Sequence, residues 1–190
     1  FSLNGKLESI SNIDIIFQVF SFVTTSGFTT SNYSLWPSFI ILLIFLSSFI
    51  GACAGSAGGG MKVIRLTIAL KSIKKQLLRV IHPKAEITIK VNHKKVDDTT
   101  VETILSFIIL YITVFFISSI LIMVSGHDFV TSFSSAAACI NNLGPALGDA
   151  YGNYASLNSF SKVLLSLIMI VGRLEIYTFI ILITRYFWKY

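Results

Sequence analysis

The apolar positions of the chain fall into runs of two lengths. Ile104–Val124 is a stretch of 21 residues without a charge, long enough to cross a bilayer core as a helix, which takes about 20. Residues from Ile15 to Met61 also lack charge, but polar and glycine-rich breaks divide them. Ile13–Thr25 is a short apolar run that predicts a helix and stops in Ser26-Gly27-Phe28-Thr29-Thr30-Ser31-Asn32. Trp36–Ile50 reads as a membrane helix opening on an interfacial Trp-Pro pair. It runs into Gly51–Gly60, which holds five of the 12 glycines. Lys62–Ile81 then predicts an amphipathic helix with Lys71, Lys75 and Arg79 on one surface face. After His82-Pro83, the alternation in Ala85–Val91 followed by Asn92-His93-Lys94 predicts a small β-hairpin. His127–Cys139 is again too short to span, and Asn141-Asn142-Leu143-Gly144-Pro145 stops it. Asn158–Trp188 predicts a long final helix interrupted at Gly172-Arg173-Leu174-Glu175.

The order repeats: short helix, polar glycine turn, outer loop, long helix. A short helix that enters the bilayer and ends in a polar turn is a re-entrant pore loop, and irregular backbone at that depth is tolerated only when buried in protein or lining a watery cavity. For either run alone the alternative is a buried or interfacial helix. Their recurrence in the same order favours the pore loop.

Composition agrees with a membrane protein. Of 190 residues, 54% are hydrophobic and 13% charged, about half the charge of a typical soluble domain. Ten of the 15 Lys/Arg lie between Lys62 and Lys95, whereas 126–161 has none and contains Asp128 and Asp149. By the positive-inside rule, residues 62–98 face the cytoplasm and 126–157 the outside. The basic run lies between long apolar segments, which argues against nucleic acid as its partner. Cys53 and Cys139 fit no disulfide, zinc or redox spacing.

The two turns suit a dehydrated alkali cation. Rings of backbone carbonyls replace its water shell, and glycine opens conformations that turn carbonyls inward. Thr25-Ser26-Gly27 and Asn142-Leu143-Gly144 supply such backbone, with side-chain oxygens on Thr25, Ser26 and Asn142. Neither turn has the carboxylate that a divalent-cation filter uses. The segment holding Gly51, Gly55, Ser56, Gly58, Gly59 and Gly60 lacks the Lys-Ser/Thr that would make it a phosphate-binding loop. As an intramembrane serine protease it would need a base near Ser56, yet His82, His93 and His127 fall at other depths. There remain a break in a pore-lining helix and close packing through small residues. Arg173, central in its segment, must find oxygens inside the protein because burial in lipid costs about 2.5–3.5 kcal/mol. The freed carbonyls of 51–60 would serve, and a static intramembrane ion pair is the alternative. On a continuous helix Glu175 would face away from Arg173, and its partner is not identified by the sequence.

Phe22–Trp36, Ser47–Arg65, His82-Pro83, Asn141–Gly148 and Gly172–Thr178 together resemble the potassium-uptake subunits of the Trk/Ktr/HKT superfamily, most closely the TrkH type. The resemblance implies an all-α polytopic membrane protein built from K⁺ channel-like repeats of membrane helix, pore loop and membrane helix. Residues 1–81 would be the pore helix, filter loop and broken second helix of repeat 3, 82–98 a basic cytosolic loop, and 99–190 repeat 4. It implies potassium uptake across the bacterial cytoplasmic membrane, no enzymatic activity and no bound cofactor, with K⁺ as the transported ion. Thr25, Ser26, Gly27, Asn142, Leu143 and Gly144 would form two quarters of the selectivity filter. Gly51–Gly60 would be the gating loop, faced by Arg173. The implied partners are membrane lipid, a second copy in a homodimer, and a TrkA-type cytosolic nucleotide-binding subunit. Two quarters cannot ring an ion, so the expectation is a C-terminal part of a longer protein that needs its missing N-terminal repeats. The competing readings are a broken-helix symporter for a small solute, an intramembrane serine protease and a purely structural subunit.

Overall fold

The computed structural model describes residues 11–51, 53, 55–56, 58–83, 87–92, 94–184 and 188. The architecture is helical: α1 (Asn12–Val23), α2 (Ser38–Ile50), α3 (Val63–Ile81), α4 (Asp98–Val124), α5 (Phe129–Ile140), α6 (Ser159–Arg173) and α7 (Ile176–Ile183). Single 3₁₀ turns, Tyr33–Leu35 and Gly148–Ala150, follow the two short helices α1 and α5.

The two short helices are built alike. Each has 12 residues, a rise of about 18 Å that cannot cross a core of about 30 Å. Ser11 caps α1 by accepting from the Ile13 amide, and Asp128 caps α5 by accepting from the Val130 amide, the usual answer to orphan donors at a helix start. α5 is the more enclosed: Thr131, Ser132 and every residue from Ser134 to Ile140 are buried. Its small side chains let α4 and α6 approach closely, and this is how helices associate where apolar area gives no advantage over lipid. At Gly172 of α6 a Cβ would stand 2.1 Å from the Ile140 carbonyl oxygen, so only glycine fits this crossing.

α4 is the one described helix that alone is long and apolar enough to span. Ile109, Phe116, Ile117 and Ile120 face outward from it, as lipid-facing positions should. Its buried face carries Phe107, Tyr111, Phe115 and Ile122, which join Phe22, Tyr33, Phe45 and Ile140 in the main core. Phe22 meets Tyr33 and Phe45 edge-on at 5.6 and 5.4 Å between centroids, a favoured aromatic geometry.

Several elements depart from the sequence reading. The Trp-Pro pair does open a helix, with Pro37 as N-cap of α2, but Trp36 is turned into the protein and only 7% exposed. The final segment is interrupted where expected, between Arg173 and Ile176, and the break is sharp: α6 and α7 meet at 107°. The bend leaves Arg173 as the last residue of α6 and Glu175, at φ +59°, before α7. Nor is the basic stripe of α3 simply solvated. Lys75 is buried and donates to Asp98 at 2.7 Å, while Lys71 donates to the Lys90 carbonyl at 2.6 Å. The hairpin is present in reduced form, β1 (Lys90–Val91) against β2 (Lys94–Lys95), antiparallel with Lys90 opposite Lys95. Ala85, Glu86 and His93 of the expected hairpin lie outside the described residues, as do Ala52, Ala54 and Ala57 of the glycine segment.

Candidate ion pathway and gating loop

After α1 and α5 the backbone repeats the same figure. Thr24 and Asn141, the C-caps, have φ −82° and −80°. Thr25 and Asn142 then turn left-handed at φ +54° and +52°, and Gly27 and Gly144 follow at +77° and +97°. The amides of Ser26 and Leu143 reach back to the carbonyls of Ser21 and Ala138, at 3.0 and 2.8 Å. Asn accepts a left-handed conformation readily, whereas a β-branched Thr does so at a cost. Strain of this sort collects at functional sites, where the surroundings hold it. Here the Thr25 Oγ1 accepts from the Gly59 amide at 3.1 Å.

The turns abut one another. A Cβ on Gly27 would lie 2.1 Å from the Leu143 carbonyl oxygen, so the two candidate filter segments meet backbone to backbone. The glycine segment packs against both. Gly59 bonds Thr25 on one side, and on the other a Cβ there would stand 1.8 Å from the Asn141 carbonyl oxygen. Gly51 and Gly60, both at positive φ, fold the segment on itself, with positions for Cβ only 2.4 Å from the Gly59 oxygen and 2.8 Å from the Ser48 oxygen. Gly55 touches nothing within 4 Å of its missing Cβ. Ser56 Oγ accepts from the Gly58 amide at 3.0 Å.

Below lies a cavity of about 230 Å³ lined by Ser56, Gly58, Gly60, Lys62, Arg173 and Glu175, with Tyr111 and Phe107 on its α4 side. Arg173 and the 51–60 segment therefore share one cavity. Glu175, which had no identified partner in the sequence, accepts from Lys62 at 2.9 Å and Arg65 at 2.7 Å. Arg65 also stacks over the Phe107 ring, 4.1 Å from its centroid, a cation–π contact.

Sequence reasoning missed the polar framework behind the turns. Tyr111 donates to Asn141 Oδ1, and Asn141 Nδ2 donates to Ser48 Oγ at 2.9 Å, all within the core. This chain of bonds ties α4, α5 and α2 at one level. Tyr33 donates to the Ala146 carbonyl and Tyr154 to the Gly144 carbonyl, both at 2.7 Å. The one signal for Asn141 was a doubled Asn before the candidate turn; the tyrosines gave none. At the start of α5, hydrogen bonds led by that to Thr131 hold the Asp128 carboxyl below its usual range.

A family model described as TrkH, cation transport protein, matches residues 7–189. The chain belongs to the TrkH family. It is 41% identical over 188 residues to the Trk system potassium uptake protein TrkH of Halomonas elongata, covering 98% of this chain and 39% of that protein. It is 41% identical over 173 residues to the protein of the same name from Escherichia coli K12, covering 91% and 36%. The crystal structure of the potassium transporter TrkH from Vibrio parahaemolyticus superimposes with a TM-score of 0.88 at 39% identity, over 98% of this chain and 41% of that one. This chain thus spans about two fifths of the length of these TrkH proteins and shares the helical membrane fold, pore-loop repeats included. The family is one of transport proteins rather than enzymes.

Proposed function

We propose that this chain supplies two of the four sides of a potassium pathway, with the other two coming from the remainder of a TrkH polypeptide. The observation that carries this is the twinned turn: Thr25-Ser26-Gly27 and Asn142-Leu143-Gly144 have matching backbones that touch at Gly27 and Leu143. Their carbonyls, with the Thr25 and Asn142 side chains, exchange for the water shell of K⁺. The outer loop, with Asp128, Asp149 and no Lys or Arg over 126–161, draws cations towards the mouth.

Residues 51–60 act as the gate. The loop sits against both turns and is joined to Thr25 by a hydrogen bond worth about 1 kcal/mol. It is seated by close backbone contact at Gly59 and this one bond rather than by interlocking large side chains, so it swings aside by breaking few contacts. Arg173 biases its closed position from the shared cavity. The protein works as a homodimer in the lipid of the bacterial cytoplasmic membrane, with 62–98 inside and 126–157 outside. A TrkA-type nucleotide-binding subunit regulates it from the basic cytosolic face. The broken pairs α2/α3 and α6/α7 also suit a solute symporter, in which unwound backbone binds the coupling ion; solute uptake that persists without K⁺ would favour that second reading.

The test is Rb⁺ uptake by transport-deficient cells expressing the complete polypeptide, beside the same polypeptide carrying Gly144→Asp. A Cβ at Gly144 meets nothing within 4 Å, so the charge enters open space rather than a packed core. Loss of selective uptake at unchanged membrane abundance is the expected result. Wild-type transport by the mutant removes Gly144 from the ion path.

A further inference from the structure

The peptide joining Gly144 to Pro145 is singular in its hydrogen bonding. Proline has no amide hydrogen, so the carbonyl of Gly144 is the only group of this peptide that can make a hydrogen bond. Gly144 carries no side chain, sits at φ +97° and has nothing within 4 Å where a Cβ would be. On the proline side the ring fixes φ, and its Cδ stands 3.2 Å from where a Cβ on Gly27 would be, so the remaining freedom of this peptide lies in ψ of Gly144, which glycine leaves wide. The Tyr154 hydroxyl donates to this carbonyl at 2.7 Å.

Tyr154 is itself well held. Its ring packs half-buried against the main core. Its loop is stitched by Ser156 Oγ to the Asp149 carbonyl at 2.6 Å, the Ala155 amide to Asn153 Oδ1 at 3.0 Å, and Lys162 Nζ to the Ala155 carbonyl at 2.9 Å. The other turn is braced differently. There Ser21 Oγ, from the pore helix, donates at 2.6 Å to the carbonyl of Phe28, one residue beyond Gly27, and Gly27 is packed against Leu143. The contact at Gly27 and Leu143 is shared by both turns; the short serine bond belongs to the first, and the tyrosine bond to the second.

We infer that Tyr154 is a positioning residue for ion selectivity: its hydroxyl fixes the direction of the Gly144 carbonyl and so the spacing of oxygens offered to the ion. This rests on residues 142–144 lining the ion path. A filter whose carbonyls rotate freely adapts to Na⁺ as well as to K⁺, while one held at a fixed spacing does not. Tyr33 provides the comparison, because it makes an equally short bond two residues further on, to Ala146, outside the candidate triplet.

The experiment measures Rb⁺ and Na⁺ uptake by the complete polypeptide in transport-deficient cells, for wild type, Tyr154→Phe and Tyr33→Phe, with membrane abundance and melting temperature recorded for each. Both variants keep the ring and lose only a hydroxyl. Tyr154→Phe is expected to lower the ratio of apparent KM for Na⁺ to that for Rb⁺ by about two- to tenfold, the size of one neutral hydrogen bond, while maximal Rb⁺ uptake persists. Tyr33→Phe lowers the melting temperature and leaves the ratio as in wild type. An unchanged ratio in Tyr154→Phe overturns the inference, and so does an equal change in both variants, which would mean general loosening. Wild type that takes up no Rb⁺ overturns the potassium reading itself and the inference with it.

Discussion

Lys62 and Glu175 hold equivalent places, each just before a helix, and bind each other. Each is the residue immediately before a helix and has the same backbone, Lys62 at φ +66° and ψ +132° before α3, Glu175 at φ +59° and ψ +129° before α7. The Lys62 ammonium lies 2.9 Å from the Glu175 carboxylate, and Arg65 reaches the other oxygen at 2.7 Å. The pair joins the two helix breaks across 113 residues of sequence.

Glu175→Gln leaves both cations beside a neutral amide. The pair is partly exposed, with side-chain accessibilities of 20% for Lys62 and 38% for Glu175, so the loss is set at about 1–2 kcal/mol, between surface and buried pairs. A fall in the melting temperature of the complete protein in detergent is expected. The exchange Lys62→Glu with Glu175→Lys recovers part of it, since Arg65 still favours an acid at 175. A double variant less stable than the sum of its singles contradicts the pairing.

Gly59→Ala drives a methyl into the Asn141 carbonyl and cannot be seated without moving the loop. The expected phenotype is raised Rb⁺ flux in the absence of the regulatory subunit. Gly55→Ala, with open space at its Cβ, gives the smaller change. Equal flux changes in the two variants would show that the loop's seat on the turns does not control passage.

Tyr111→Phe removes the donor to Asn141 and leaves a buried acceptor without it. The expected loss is about 1–3 kcal/mol, the cost of an unsatisfied buried polar group. Asn141→Leu, which strands the Tyr111 hydroxyl and takes a donor from Ser48 Oγ, costs more. Thermal unfolding of the two variants checks the order.

Asp128 gives a pH dependence whose sign is fixed. Its folded pKa lies below the ordinary value, chiefly through the hydrogen bond to Thr131. Its contribution is therefore complete above the unfolded pKa of about 3.9 and is lost as pH falls through the lower folded value. Asp128→Ala should lower stability by about 1 kcal/mol, as for other helix caps. The difference from wild type stays constant between pH 5 and 8 and shrinks only at strongly acid pH. A difference that varies across the neutral range argues against this cap.

What was legible in the sequence was what is local. A short apolar run of 13 residues followed by a glycine turn announces a helix too short to span, and α1 and α5, of 12 residues each, are such helices. The charge-free run at 104–124 announces α4. What was not legible depends on distant contacts. Glu175 had no partner in its own helix because its partners come from another helix break. Trp36 next to proline resembles an interfacial anchor, yet tertiary packing buries it. Lys75 follows the helical repeat of a solvated stripe, and only the position of Asp98 turns it inward. Tyr33 and Tyr154 sit in connections between helices with no periodic pattern, so nothing local marks them as donors to backbone near the turn.

The central claim is that the turns at 25–27 and 142–144 line the ion path, and anomalous scattering tests it most directly. Crystals of the complete protein would be grown in Rb⁺ and measured at the rubidium edge. An anomalous peak within coordinating distance of the backbone oxygens of both turns is the predicted result, weakened when Na⁺ replaces Rb⁺. Rubidium that binds in the membrane region away from both turns, with none between them, would contradict the account.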